Sequence, residues 1–348
     1  MAKLNVGVVG AGAIGRAHAE TIMRSDVSAL SGVVDPTDAG RDFAARLGAP
    51  WFPDHQAMLR GAKPDAAIVA TPNATHRPIA LDFLRAGVPV LIEKPIASTV
   101  EDGAAIAAFC ASSGVPAIVG HHRRHNPIIR RARALVAAGA LGRLTNVSIL
   151  ATFYKPREYF DIEWRRREGG GPVLINLIHE IDLVRHVCGE IATVQALSSN
   201  DVRGFEVEDT AAVLLRLVNG ALVAISLSDT AASPWSWDLA SGEIPHYPSQ
   251  PVRVNTHFLC GADASLTLPF LELWSYKGAK SWYAPITREQ LAVERADPYT
   301  EQLEHLCRVA RGEEAPLISA ADGTQTLRAT LAVKEAARTA RTVAVELG

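Results

Sequence analysis

The apolar run from Leu4 to Gly10 breaks into Gly10-Ala11-Gly12-Ala13-Ile14-Gly15 and then into helix-compatible sequence. This stretch constrains the fold more than any other. A strand that turns this tightly into a helix leaves the first N–H groups of the helix free to donate to an anion. In such a pattern Gly10 allows the turn, Gly12 lets the backbone approach a pyrophosphate, and Gly15 lets the helix pack closely on the strand. A second apolar run, Leu30 to Val34, ends in Asp35, twenty positions beyond Gly15. A carboxylate there can accept from both ribose hydroxyls of NAD and repels a 2′-phosphate, so the residues predict NAD in preference to NADP.

A chain of 348 residues is long for one domain, at about 150 residues per domain, and predicts two. With a formal net charge of −2 and 21% charged residues, nothing points to nucleic acid as a partner. The four cysteines, Cys110, Cys188, Cys260 and Cys307, are far apart, which implies neither a disulfide framework nor a cysteine metal site. No apolar run approaches the roughly 18 residues of a membrane span. Residues 1–10 enter a strand without a basic leader, so the expected location is the cytoplasm, with no membrane partner.

After the first unit, short apolar runs at Ala66 to Ala70, Val88 to Ile92 and Ala117 to Val119 alternate with helix-like stretches. Such an order predicts an α/β fold with a doubly wound parallel sheet over residues 1–122. Ligands of these sheets sit beyond the carboxyl ends of the strands. Three loops fall there: Thr71-Pro72-Asn73, Glu93-Lys94-Pro95 and Gly120-His121-His122-Arg123. From residue 123 to 348 the character changes to long alternating stretches at Leu144 to Phe153, Thr193 to Ser198, Thr210 to Val218 and Ala221 to Ser228. They predict a second α/β domain with a large, open, mainly antiparallel sheet. Val218-Asn219-Gly220-Ala221 reads as its hairpin turn, and one open face of such a sheet is an expected subunit interface. Residues 229–255, with Trp235, Trp237, His246 and Tyr247, read as an ordered excursion or lid. The tail from Pro298 to Ala340 reads as two helices split at Gly312 to Pro316, free to pack back on the first domain.

Two residues stand out for chemistry. Lys94 ends a buried strand, either as a surface cap or as a cation aimed into the cleft, where it could stabilise developing alkoxide charge. His179 lies on the helical stretch after Gly169-Gly170-Gly171, with Ile175, Asn176 and Leu183 on its face. A core role is the ordinary fate of such a histidine, and a general acid/base role is the alternative. His121, His122 and His125, with Glu180 or Asp182, do not have ligand-like spacing, and no metal is expected. Arg123, Arg124, Arg165, Arg166 and Arg167 read as solvated charge. Arg124 and Arg165 nevertheless flank the expected substrate loops, which admits an anionic or polyhydroxylated substrate.

Taken together, these residues resemble the Gfo/Idh/MocA family, named after glucose-fructose oxidoreductase and inositol dehydrogenase. The likeness runs through Gly10 to Gly15, Ala70-Thr71-Pro72-Asn73 with His76, Glu93-Lys94-Pro95, Gly120 with Arg123, Arg124 and Pro127, the glycine triplet before His179-Glu180-Ile181-Asp182, and Ala321-Asp322-Gly323. The resemblance implies a Rossmann domain, a C-terminal α/β domain with an open sheet, a homodimer or homotetramer, and NAD(P)-linked oxidation of a sugar, cyclitol or related cyclic diol. It implies a cofactor set of Gly10, Gly12, Ala13, Ile14, Gly15, Asp35, Thr71, Pro72, Asn73, His76, Glu93 and Lys94. Lys94 and His179 become the catalytic pair, and Arg124, Trp164, Arg165 and Asn176 the substrate residues. One departure stands out: family dehydrogenases commonly carry an aspartate four residues before the histidine, and here that residue is Ile175. The competing expectations are an enzyme that oxidises transiently, eliminates and returns the hydride, and a ligand-sensing regulator without catalysis.

Overall fold

The computed structural model describes residues 2–243, 247 and 253–348. His246 of the tryptophan-rich stretch lies outside the described residues. The chain forms two compact units, Met1–His125 with Ala296–Leu327, and Asn126–Arg295 with Arg328–Gly348.

In the first unit six strands form one parallel sheet, β1 (Leu4–Val9), β2 (Ser28–Val34), β3 (Trp51–Phe52), β4 (Ala66–Val69), β5 (Val90–Ile92) and β6 (Ala117–Val119). Their order is β3-β2-β1-β4-β5-β6, so the winding reverses between β1 and β4. Ligands of doubly wound sheets bind at that reversal, beyond the carboxyl ends of the strands. Val6, Val8, Val33, Ile68, Leu91 and Ile118 are fully buried at the centre of the sheet. Burial of both faces explains the apolar runs. β5 starts two residues later than the apolar pattern predicts, because the Val88 amide closes the preceding helix on the Phe83 carbonyl and Pro89 has no N–H to give. The helix Pro298–Ala310 belongs here too, with Leu303, Leu306, Cys307 and Val309 packed into the core of β1, β2 and β4.

The second unit is built on nine strands: β7 (Leu144–Thr152), β8 (Ile191–Ser199), β9 (Thr210–Leu217), β10 (Leu222–Ser228), β11 (His257–Gly261), β12 (Ala264–Leu268), β13 (Glu272–Ser275), β14 (Thr287–Gln290) and β15 (Val343–Ala344). Their order is β14-β13-β12-β11-β7-β10-β9-β8-β15. All neighbours are antiparallel except β7 and β10. Residues alternate between a buried face and an exposed one, as along β9. Helical residues Ile129, Ala132, Leu177, Ile181 and Val184 share one core with the buried face.

The expected hairpin joins β9 to β10, with Gly220 at φ +90°. Asn219 contributes through its side chain, accepting from the Ala221 amide at 3.1 Å and donating to the Cys188 carbonyl at 2.8 Å. The helical stretch from Val173 to Cys188 is α-helical only over Ile178–Leu183. It is π-wound on both sides, over Val173–Leu177 and Val184–Cys188. No helix among the described residues is long and apolar enough to cross a membrane.

Candidate functional site

In the first unit each glycine of the turn meets a different surrounding. Gly10 has φ +98°, and a Cβ there would stand 2.5 Å from the Ala70 carbonyl oxygen. A Cβ at Gly15 would stand 1.8 Å from the Gly10 carbonyl oxygen. Gly12, at the start of the helix Ala13–Met23, has nothing within 4 Å of that position, and Ile14 just beyond it is 41% exposed. Backbone crowding thus dictates two glycines, whereas the third keeps open the space beside the helix N-terminus. That arrangement fits a pyrophosphate.

Asp35, at the end of β2, accepts hydrogen bonds from the Ala11 amide at 2.8 Å and from the amide and hydroxyl of Thr37. Burial works to raise its carboxyl, but Thr37, the Ala11 amide and Arg16 outweigh it and hold the group below its ordinary value. The carboxylate is therefore ionised and fixed beside the glycine turn. Thr71, Pro72 and Asn73 follow β4, and Thr75 pins them by donating to the Pro72 carbonyl at 2.7 Å. His76 is buried, with ring nitrogens 2.8 Å from the Thr71 carbonyl and 2.9 Å from the Pro95 carbonyl, so it braces two of the three loops.

Glu93 precedes Lys94 at the end of β5. Its buried carboxylate lies 2.7 Å from His18 Nε2 and accepts from the Lys94 amide at 3.2 Å. Burial favours the neutral acid, but His18, Lys94 and His122 prevail and hold the carboxyl below its ordinary value. Lys94 is thus carried on a backbone clamped by a buried hydrogen bond to the dinucleotide helix. Sequence reasoning missed His18, which lies on the first turn after Gly15. Arg124 is buried and paired with Asp322. Close packing backs that pair, since a Cβ at Gly323 would stand 2.4 Å from Val119 Cγ2. His122 stacks on Tyr299, with ring centroids 4.5 Å apart.

In the second unit His179 is buried near the start of the α-helical segment. Next to it, Glu180 is held by His257 Nε2 at 2.8 Å. Asn176 is half-buried, and its Oδ1 accepts from Lys155 Nζ at 2.7 Å. Lys155 also pairs with Asp229 at 3.2 Å, and Arg203 pairs with the same carboxylate at 3.3 Å. Burial pulls the Lys155 ammonium below its ordinary value, and Asp229 opposes that shift. Arg165 lies over the Tyr159 ring, 4.0 Å from its centre, and donates to the Tyr159 carbonyl, while Trp164 is 51% exposed beside it. Lys155, Arg203 and Asp229 escaped the sequence reading. A signal for Lys155 was present: Lys155-Pro156 follows the carboxyl end of β7 much as Lys94-Pro95 follows β5.

A parallel sheet that reverses at a glycine turn with an ionised carboxylate beside it defines a dinucleotide-binding unit. Residues 4–121 match the oxidoreductase family with NAD-binding Rossmann fold GFO_IDH_MocA, and residues 129–243 match the GFO/IDH/MocA C-terminal domain. The chain belongs to the Gfo/Idh/MocA family, and its first unit is an NAD-binding Rossmann unit. It is 31% identical over 237 residues to UDP-N-acetylglucosamine 3-dehydrogenase of Acidithiobacillus ferrooxidans, covering 67% of this chain and 70% of that one. It is 24% identical to myo-inositol 2-dehydrogenase of Thermotoga maritima over 99% of both chains. The fold is shared over the whole of both chains with the WlbA dehydrogenase from Bordetella pertussis, solved in complex with NADH and UDP-GlcNAcA (TM-score 0.79, 23% identity).

Proposed function

We propose that this protein is an NAD-dependent dehydrogenase that oxidises a secondary alcohol of a sugar, cyclitol or related cyclic diol. The observation that carries this reading is the ionised Asp35 fixed beside the open Gly12 turn, in the same unit as the clamped Lys94. When bound, the nicotinamide supplies the hydride acceptor. Lys94 binds the reacting hydroxyl and stabilises the negative charge that develops on its oxygen. His179 takes the hydroxyl proton. Asn176, Arg165 and Trp164 orient the ring, while Arg124, paired with Asp322, braces the turn after β6. Asp35 favours NAD over NADP, because a 2′-phosphate would meet its carboxylate. The exposed sheet face, where Leu197, Leu214 and Leu222 are 68%, 56% and 50% exposed, supports a homodimer or homotetramer.

The test is the absorbance of reduced nicotinamide with NAD or NADP against inositols, aldoses, sugar acids and cyclic dihydrodiols. A signal with NAD that is lost in Lys94→Ala and His179→Ala is expected. Ile175 favours a second reading, since it replaces the carboxylate that would stabilise an imidazolium. In that reading oxidation is transient and the hydride is returned after an elimination. Substrate consumption without net reduced cofactor would establish it.

A further inference from the structure

Around Tyr159 the second unit gathers three basic side chains. Lys155 Nζ lies 4.7 Å from the centre of the Tyr159 ring and the Arg165 guanidinium 4.0 Å from it. Arg203 joins them through Asp229, the carboxylate it shares with Lys155. Lys155 and Arg203 thus share one carboxylate, while Arg165 lies over the same Tyr159 ring with no carboxylate partner among the described residues.

Hydrogen-bond geometry says where a negative group would bind. An ammonium only donates, so the Lys155 contact fixes the Asn176 amide with its oxygen toward Lys155 and its NH2 away. Among the described residues that NH2 has no partner. The Asn176 NH2 is therefore set as a donor, and the neutral amide cannot carry the negative charge that an aspartate would. Arg165 spends Nη1 on the Tyr159 carbonyl, and among the described residues its Nε and Nη2 have no partner. Nε is enclosed, so Nη2 is the guanidinium group left to donate a charge-assisted hydrogen bond to an anion.

Resting on the dehydrogenase reading above, we infer that Arg165 and Asn176 form a carboxylate subsite, with Lys155 as its positioning residue, and that the substrate is a sugar acid or carboxylated cyclitol. Arg165 receives the carboxylate through Nη2. Asn176, less than one turn before His179, donates to an oxygen of the same substrate.

The experiment uses matched pairs, D-glucuronate with D-glucose and D-galacturonate with D-galactose, and adds D-glucose 6-phosphate. Turnover is followed with NAD, and binding is followed by the fluorescence of the protein–NADH complex. A carboxylated member is expected to exceed its neutral partner at least tenfold in kcat/KM, mainly through KM. Arg165→Gln and Lys155→Gln are each expected to reduce that acid-to-neutral ratio tenfold or more, with Lys155→Arg restoring part of it. Equal or better use of the neutral sugars or the phosphate ester would overturn the inference and leave the dehydrogenase reading standing. So would a ratio unchanged in both Gln variants. Should no compound reduce NAD, tight binding of an acid that is lost in Arg165→Gln would uphold the subsite and sink the dehydrogenase reading. Absence of acid-selective binding would sink the subsite.

Discussion

In the first unit the residues at the cofactor end act through the backbone and lie close together in the chain. Gly10, Gly12 and Gly15 shape one turn, and Glu93-Lys94-Pro95 forms one loop. In the second unit Lys155, Asn176, Arg203 and Asp229 come from four separate segments and act through side chains. A cofactor shared by many enzymes is met by a short stretch of main chain that tolerates few residue types. In the proposed reading the substrate is met by long side chains brought together by the sheet. A change should therefore damage the first unit through its geometry and the second through its charge.

The largest effect tests whether Lys94 belongs to chemistry or to cofactor binding. Lys94→Ala is expected to lower kcat by about 10²–10³, the usual loss for a removed transition-state donor, with NAD affinity retained. Weakened NAD binding at unchanged kcat would instead make Lys94 part of the backbone-built half.

The next test sets two glycines against each other. Gly15→Ala drives a methyl into the Gly10 carbonyl and is expected to cost about 3 kcal/mol or more in thermal or chemical unfolding. Gly12→Ala meets open space, so it should leave stability within about 0.5 kcal/mol, as a surface change does, while weakening NAD binding. Equal stability losses in the two variants would remove the distinction between crowded and open glycines.

Asp35→Asn keeps the shape and removes the charge. A hydrogen bond to a charged group contributes about 1.5–3 kcal/mol, so NAD affinity is expected to fall roughly 10- to 100-fold, with a smaller loss for NADP. An equal loss for both would separate Asp35 from the ribose.

Acid should expose the Glu93 clamp. Its folded carboxyl lies below its ordinary value of 4.5, so its contribution is complete above that pH and is lost as pH falls through the folded value. Glu93→Gln should be less stable than the parent near neutrality, and the gap in melting temperature should narrow on acidification below 4.5. A constant gap would mean that the His18 contact does not depend on charge.

The smallest effect concerns the hairpin. Asn219→Ala removes two side-chain hydrogen bonds and is expected to cost about 1–3 kcal/mol in unfolding, with NAD binding unchanged.

How legible each half was follows from the same contrast. The parallel strands showed because both their faces are buried, and the glycine turn showed because it demands small residues at fixed places. β3 was missed, since two residues carry no period. β11 to β14 are only four or five residues long, too short for alternation to stand out. Asn176 could be read as a substrate residue, but the direction of its amide depends on Lys155, which only the fold brings to it. The π-winding before His179 was equally hidden, because apolar spacing does not separate it from an α-helix over so few residues.

The borders of the nine-stranded sheet bear on whether a further strand can add to it. One border is β14, whose four residues, Thr287-Arg288-Glu289-Gln290, are all polar, and the other is β15, with two residues. Short and charged borders resist the addition of a further strand from another molecule. Growth strand by strand would have no natural end and would lead toward fibres. Contact through a sheet face, where both copies use the same patch, closes on itself with two-fold symmetry and stops.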